Sequence, residues 1–242
     1  MKIIAIGDIH GRDCWLDIVQ SEEFDKIIFL GDYFDSFDPE ITGLSQLNNF
    51  KELIQFKREY PDRVILLIGN HDFHYLKLVW NKYSGFQSGI YPEAEYCISE
   101  AIKERLLQMC YSYKNFLFTH AGITKNWFQR NIDKRIPKRG KTIEYKLNEA
   151  FYHKSSIYNF KSGVYCNPYG DEVCQGPLWV RPRSLLEDKL DGFVFIVGHT
   201  QAEYLKIFES FDLVLIDVLH NNEYLEINNE KLIVRKIKRG DA

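Results

Sequence analysis

Five times in this chain an apolar run stops at a residue able to bind a metal, and in four of the five a glycine stands directly before it. Ile3-Ile4-Ala5-Ile6 runs into Gly7-Asp8-Ile9-His10-Gly11, and Ile27-Ile28-Phe29-Leu30 into Gly31-Asp32. Val64-Ile65-Leu66-Leu67-Ile68 runs into Gly69-Asn70-His71-Asp72. Phe116-Leu117-Phe118 runs into Thr119-His120-Ala121-Gly122, and Phe193-Val194-Phe195-Ile196-Val197 into Gly198-His199-Thr200. Apolar runs of this length read as buried strands. In open α/β sheets, sites form in the crevice beyond the carboxyl ends of the strands. Five such ends carrying Asp8, His10, Asp32, Asn70, His120 and His199 are therefore expected to meet in one place, and their donors describe a metal centre. A lone Asp or His after a strand is usually a cap or loop residue. Six at five consecutive strand ends are not explained that way.

The order of elements supports parallel pairing. Strand 2–6 is expected to lead to a helix from about Asp13, and strand 26–30 to a loop from Ser36 to Thr42 and then a helix to about Tyr60. Leu44, Leu47, Phe50, Leu53, Ile54 and Phe56 recur near a 3.6 period there, and Pro61 and Asp62 stop the helix. Strand 63–68 and a helix from Asp72 or Phe73 to Trp80 follow. This βαβαβ order implies right-handed crossovers. Residues 81–92 read as loop, 96–112 as helix and 115–119 as strand. The stretch 123–179 is the least regular, with helix near 126–132 and 142–160 and loop from Lys161 to Pro177. Short strands at 193–197, 203–208, 212–218, 223–227 and 231–237 close the chain. Asn221-Asn222 and Asn228-Asn229 are turn signals, so this last part reads as antiparallel. The expectation is one α/β domain over residues 1–242.

Composition removes other classes. A net charge of −3 implies no general attraction to nucleic acid or to anionic membranes. No apolar stretch approaches the ~20 residues of a membrane span, and no signal-peptide pattern opens the chain. The five cysteines, Cys14, Cys97, Cys110, Cys166 and Cys174, are odd in number and contain no CxxC pair. That opposes a disulfide framework and a thiolate zinc site, and it fits a cytoplasmic protein with reduced thiols. Cys166 and Cys174 alone flank a loop that oxidation could close. Arg235-Lys236-Ile237-Lys238-Arg239 reads as a solvated strand end. Trp127, Phe128, Phe151, Tyr152, Tyr158, Phe160, Tyr165, Tyr169 and Trp179 read as packing residues. His74, His153 and His220 match no motif and read as ordinary.

The donor types define the chemistry. Asp8 and His10, two apart in one loop, can share an ion, and the two oxygens of Asp32 can bridge to a second. Asn70, His120 and His199 can complete the shell of that second ion. Nitrogen and oxygen donors without thiolate suit Mn²⁺, Fe or Zn²⁺. Two such ions ~3.5–4 Å apart can clamp a phosphate and acidify a bridging water for in-line attack. His71 follows Asn70, and with Asp72 to orient its ring it could protonate a leaving alkoxide.

Taken in order, Gly7-Asp8-Ile9-His10-Gly11, Gly31-Asp32-Tyr33-Phe34-Asp35, Gly69-Asn70-His71-Asp72, Thr119-His120-Ala121-Gly122 and Gly198-His199-Thr200 resemble the motif series of the calcineurin-like metallophosphoesterases. The resemblance implies a four-layer αββα sandwich of two mixed sheets, a dinuclear centre and phosphoester hydrolysis. Gly198-His199-Thr200-Gln201 lacks the second histidine of nuclease-like members. In this it is similar to the serine/threonine phosphoprotein phosphatases and the symmetrical dinucleoside tetraphosphatases. Two departures matter. Asp35-Ser36 stands where phosphoprotein phosphatases place an Asp-Arg pair, and Asp72 where they place Glu. Phosphate must then be gripped elsewhere. Arg181, in a segment resembling one that brings an arginine to the site in this branch, leads Arg183 and Arg12 as the candidate. The expected activity is that of a phosphomonoesterase or serine/threonine-type protein phosphatase acting on a phosphorylated small molecule, nucleotide or protein. The alternatives are a dinucleoside polyphosphate hydrolase and a catalytically inactive scaffold of the same fold. Residues 123–179 are expected to form a helical and loop insertion that roofs the centre.

Overall fold

The structure is a computed structural model and describes residues 1–133, 141–161 and 169–237. The first half runs β1 (Lys2–Ile6), α1 (Trp15–Ser21), β2 (Lys26–Phe29), α2 (Gly43–Glu59), β3 (Val64–Leu67), α3 (Asn70–Phe73) and α4 (Tyr91–Lys103). Then come β4 (Leu107–Gln108), β5 (Cys110–Tyr113), β6 (Phe116–Thr119), α5 (Lys125–Phe128), α6 (Ile143–Lys154) and α7 (Pro182–Asp188). The chain closes with β7 (Val194–Val197), β8 (Lys206–Phe208), β9 (Leu213–Leu215), β10 (Glu223–Asn228) and β11 (Lys231–Lys236).

Two mixed sheets form, in the orders β11-β10-β1-β2-β3-β4 and β5-β6-β7-β9-β8. The central strands β1, β2, β3, β6, β7 and β9 are buried on both faces, which is why they read as continuous apolar runs. On β1, Ile3 and Ala5 point into the core between the sheets, while Ile4 and Ile6 point to the helical layer. Phe116 and Phe118 face the inter-sheet core and Leu117 faces outward, and Ile196 and its neighbours Phe195 and Val197 divide in the same way. Each such Ile, Leu, Val or Phe side chain contributes about 1.5–3 kcal/mol relative to exposure. The result is the expected four-layer αββα sandwich. In α2, Thr42 caps the first turn by accepting from the Ser45 amide at 3.1 Å, and Leu47, Phe50, Leu53 and Ile54 are buried.

Several expectations need correction. The helix foreseen from Asp72 to Trp80 is α3, starting earlier and only four residues long. Past it the chain makes successive tight turns, Tyr75 to Asp72, Leu76 to Phe73 and Val79 to Leu76. Lys82 caps the carbonyls of His74 and Val79. The helix foreseen over 96–112 ends at Lys103. Arg105 turns left-handed (φ 58°) and the Leu106 amide bonds the Ala101 carbonyl, a closing motif that stops a helix. Residues 107–108 and 110–113 are instead strands. Nor is the C-terminal third all antiparallel: β9 lies parallel to β7, while β8 pairs β9 and β10 pairs both β1 and β11 antiparallel. Of the 123–179 stretch, α6 packs against β5 as part of the outer helical layer, with Leu147, Ala150 and Phe151 buried. Helix α7 was not foreseen. Trp127, Phe128, Phe151 and Tyr158 are packing residues, but Tyr169 is exposed. Tyr165, Cys166, Lys238 and Arg239 lie outside the described residues. Arg235 and Lys236 pair with Glu226 and Glu223 at 2.8 and 3.4 Å. No helix among the described residues is long and apolar enough to cross a membrane.

Candidate metal centre

The carboxyl ends of β1, β2 and β3 in one sheet and β6 and β7 in the other open on the same cleft. His10, Asp32 and His199 stand there in the left-handed region, at φ 44°, 52° and 62°. That backbone costs each roughly 1–2 kcal/mol, a cost typical of functional positions. The amides of Ile9 and His10 both bond the Asp32 carbonyl, at 3.1 and 2.7 Å, and tie the first two loops together. The glycines ahead of the ligands permit close approach. A Cβ at Gly69 would lie 2.1 Å from Asp32 Oδ1, and one at Gly198 would lie 2.1 Å from Asp8 Oδ1.

Two donor clusters share one residue. Ligand atoms of Asp8, His10 and Asp32 lie within 4.8 Å of one another, and so do those of Asp32, His120 and His199. His10 Nε2 is 4.0 Å from Asp8 Oδ2 and 3.9 Å from Asp32 Oδ2, and His120 Nε2 is 3.4 Å from Asp32 Oδ2. Asn70 Oδ1 sits 2.8 Å from both His120 Nε2 and His199 Nδ1. All six expected ligands are thus brought together.

The imidazoles are oriented as ligands. His10 Nδ1 donates to the Phe34 carbonyl at 2.6 Å and His120 Nδ1 to the Leu30 carbonyl at 2.8 Å. His199 Nε2 donates to the Trp179 carbonyl at 3.2 Å. One nitrogen of each ring is held by the backbone, and the other turns its lone pair to the cleft. Burial lowers His10 to about 4 and, with Arg181, holds His199 well below its ordinary range, so both rings are neutral. Burial, Asp217 and Asp32 push Asp8 well up. Burial opposes charge on Asp32, yet His120 and His71 hold its carboxyl well below the usual range. Crowded buried carboxylates beside neutral imidazoles are a set that divalent cations complete.

Around this centre the structure redistributes several roles. The backbone amide of His71 bonds Asp32 Oδ1 at 2.8 Å, and its ring Nδ1 lies 2.9 Å from Asp35 Oδ2. Asp35, not Asp72, therefore orients His71. The Asp72 carboxylate instead accepts the amides of Gly69, Asp32 and Tyr33 at 2.8, 2.8 and 2.7 Å. It holds two ligand loops in register. His74, read as ordinary, is fully buried with Nε2 2.6 Å from Asp35 Oδ2. A cavity of 260 Å³ over the centre is lined by Arg12, Arg181, Phe37, Asp38, Asp217 and His220 among others. Arg183 is exposed on α7 and is not among its lining residues. Arg181 Nη1 donates to the His199 carbonyl at 2.7 Å and Thr200 Oγ1 at 3.1 Å, and Nε to the Tyr169 carbonyl at 2.9 Å. Asp217 was missed, although it ends the apolar run Leu213-Val214-Leu215-Ile216 just as the ligands end theirs. Burial and Asp32 raise it to about 6.

The sequence profile of the family described as "Calcineurin-like phosphoesterase" matches residues 1–235. Over 85 residues the chain is 37% identical to the serine/threonine-protein phosphatase 4 catalytic subunit of Eremothecium gossypii and 36% identical to that of Saccharomyces cerevisiae. Each match takes in 34% of this chain and 26% of the relative, so the chain spans about a quarter of the length of these relatives. Among solved structures, a cold-active protein-tyrosine phosphatase of a Shewanella species superposes with a TM-score of 0.63 at 18% identity, covering 98% of this chain and 80% of that one. A protein serine/threonine phosphatase from Saccharomyces cerevisiae superposes with a TM-score of 0.58 at 15% identity, covering 100% and 81%. At these identities the two superpositions establish the fold.

Proposed function

The chain belongs to the calcineurin-like phosphoesterase family, and on that premise we propose that it is a metal-dependent phosphomonoesterase with a dinuclear centre. One observation carries the reading: Asp32 is common to two donor clusters whose histidines are each pinned through their far nitrogen. Asp8, His10 and Asp32 would hold one ion, and Asp32, Asn70, His120 and His199 the other. The mixed nitrogen and oxygen donors favour Mn²⁺, with Fe or Zn²⁺ compatible. When bound, two divalent ions would supply Lewis acidity towards the phosphoryl group and a water of pKa about 7.

The chain's own residues do the rest. Arg181 has Nε and Nη1 committed to protein carbonyls and Thr200. Its Nη2 hydrogens have no described partner and are free to grip a phosphoryl oxygen, with Arg12 lining the same cavity. This replaces the arginine missing at Ser36. His71, its Nδ1 held by Asp35, has Nε2 for donation to the leaving oxygen. Protonating an alkoxide in this way is worth roughly 10²–10⁴ in rate. We favour phosphorylated serine or threonine side chains as substrates, because the named relatives are phosphatases of that kind.

A dinucleoside polyphosphate would need room for a second anionic arm. The adjoining 420 Å³ cavity, which shares Arg12, Asp38 and His220 with the first, is also lined by Asp13 and Glu40. Three carboxylates against one guanidinium disfavour polyphosphate there. The test is turnover by the Mn²⁺-loaded protein of an aryl phosphate, its diester, diadenosine polyphosphate and phosphopeptides. Monoesters and phosphopeptides should be cleaved, and chelation should abolish turnover. Faster cleavage of the diadenosine compound would overturn the monoesterase reading, and two bound ions with no turnover would favour the scaffold.

A further inference from the structure

Asp35 is more heavily held than a single His71 contact requires. It is fully buried, stands at φ 64° and has three side chains on its carboxylate. His71 Nδ1 lies 2.9 Å and His74 Nε2 2.6 Å from Oδ2, and Tyr75 Oη donates to Oδ1 at 2.6 Å. Both added partners are themselves directed by backbone. The Tyr83 amide donates to His74 Nδ1 at 3.1 Å, so that nitrogen is an acceptor and the other, Nε2, is set against Asp35 Oδ2 at 2.6 Å as a charge contact rather than an aligned hydrogen bond. The Gln87 amide donates to Tyr75 Oη at 3.1 Å, which leaves the hydroxyl hydrogen for Asp35.

These two amides come from one loop, residues 82–87, and the loop is fastened. Lys82 caps the His74 and Val79 carbonyls. Tyr83 stacks on His74 at 6.0 Å and packs on Trp179 at 4.6 Å, and Phe86 lies 5.0 Å from Tyr75. Gly85, at φ 87°, presses on Asp35 so closely that a Cβ there would be 2.8 Å from the Asp35 Cβ.

We propose that His74 and Tyr75 are positioning residues for the Asp35–His71 pair, aimed by the amides of the 82–87 loop. With Tyr75 donating to Oδ1 and His74 Nε2 packed 2.6 Å from Oδ2, rotation of the carboxylate away from His71 is opposed on both oxygens. The ring of His71 is thereby kept with Nδ1 towards Asp35 and Nε2 towards the cleft. The proposal rests on the reading of His71 as the acid for the leaving group.

The experiment compares Tyr75→Phe, His74→Gln and His71→Asn in the Mn²⁺-loaded full chain, on an alkyl and an aryl phosphate monoester, with metal content measured throughout. Gln keeps a donor near the Nε2 position but loses the acceptor that the Tyr83 amide directs, and Phe removes only an oxygen. Each positioning variant should lower kcat on the alkyl ester by roughly 10–100-fold, the usual range for such supporting groups. The aryl ester should lose much less, with KM and ion content unchanged. In the His71→Asn background the effect of Tyr75→Phe should vanish. Equal losses on both esters, or an effect that persists without His71, would overturn the proposal. So would a third ion per chain that is lost in His74→Gln, since Asp35, His71 and His74 also cluster as candidate ligands. An unchanged alkyl-to-aryl ratio in His71→Asn would overturn the acid reading and this proposal with it. A changed ratio in His71→Asn, with Tyr75→Phe and His74→Gln behaving as wild type, would overturn only this proposal.

Discussion

Removing the guanidinium of Arg181 tests how phosphate is held without the arginine that phosphoprotein phosphatases place beside Asp35. Arg181 has five N–H donors. Nε and the two Nη1 hydrogens are spent on Tyr169, His199 and Thr200, which leaves the Nη2 pair for the substrate. A hydrogen bond to a charged group is worth about 1.5–3 kcal/mol, or roughly 10–150-fold at 1.36 kcal/mol per decade. A grip on a non-reacting oxygen is made in the ground state as in the transition state, so the loss should fall on KM. Arg181→Ala should raise KM for an aryl phosphate by that factor and leave kcat within a few-fold. Arg181→Lys should recover part of it, since an ammonium keeps the charge but not the planar fork. Steady-state kinetics must be paired with metal analysis, because Arg181 also bonds the carbonyl of the ligand His199. Unchanged KM and kcat would exclude the clamp and leave Arg12. Loss of an ion would recast Arg181 as support for His199.

Three further outcomes follow from particular contacts. Burial opposes a proton on His71, but the carboxylates of Asp32 and then Asp35 raise it to about 9, so the imidazolium persists at neutral pH and is lost only as pH climbs through that value. NMR titration of the metal-free protein should find it near 9, and lower in Asp32→Asn; titration near 6.5 in both would contradict this. Burial and Asp32 raise Asp72 to about 7, so its charge is disfavoured by the fold and its value lies in accepting three amides on two oxygens. Asp72→Asn keeps one oxygen and strands an amide, which should cost about 1–3 kcal/mol, roughly 2–12 °C in Tm, and leave the alkyl-to-aryl ratio unchanged; a shifted ratio at full stability would return Asp72 to the acid pair. Gly198→Ala should displace Asp8, whose Oδ1 would lie 2.1 Å from the new methyl, at about 1–3 kcal/mol. Full ion occupancy and an unchanged Tm in that variant would refute the close packing.

What could be read from sequence was what short-range pattern controls. The central strands were legible because both faces of each are buried, so no polar residue interrupts Ile3 to Ile6 or Val64 to Ile68. The ligands were legible because each lies within a few residues of the end of such a run. Asp217 obeys the same rule, ending the run Leu213 to Ile216, but belongs to none of the five motifs. The partners of His71 were not legible, because the contact with Asp35 spans 36 residues and depends on how the second loop folds under the third. Asp72 was misassigned because its partners are backbone amides, which leave no mark in sequence. His74 carried no motif, and its role came from the amide of Tyr83. The helix foreseen over 96–112 failed at Arg105, whose left-handed turn no residue type demanded.

The centre itself is tested most directly by anomalous diffraction from crystals grown with Mn²⁺. The account requires two peaks, roughly 3.5–4 Å apart, one beside Asp8 and His10, the other beside Asn70, His120 and His199, with Asp32 between them. One peak, or two that do not share Asp32, would contradict it.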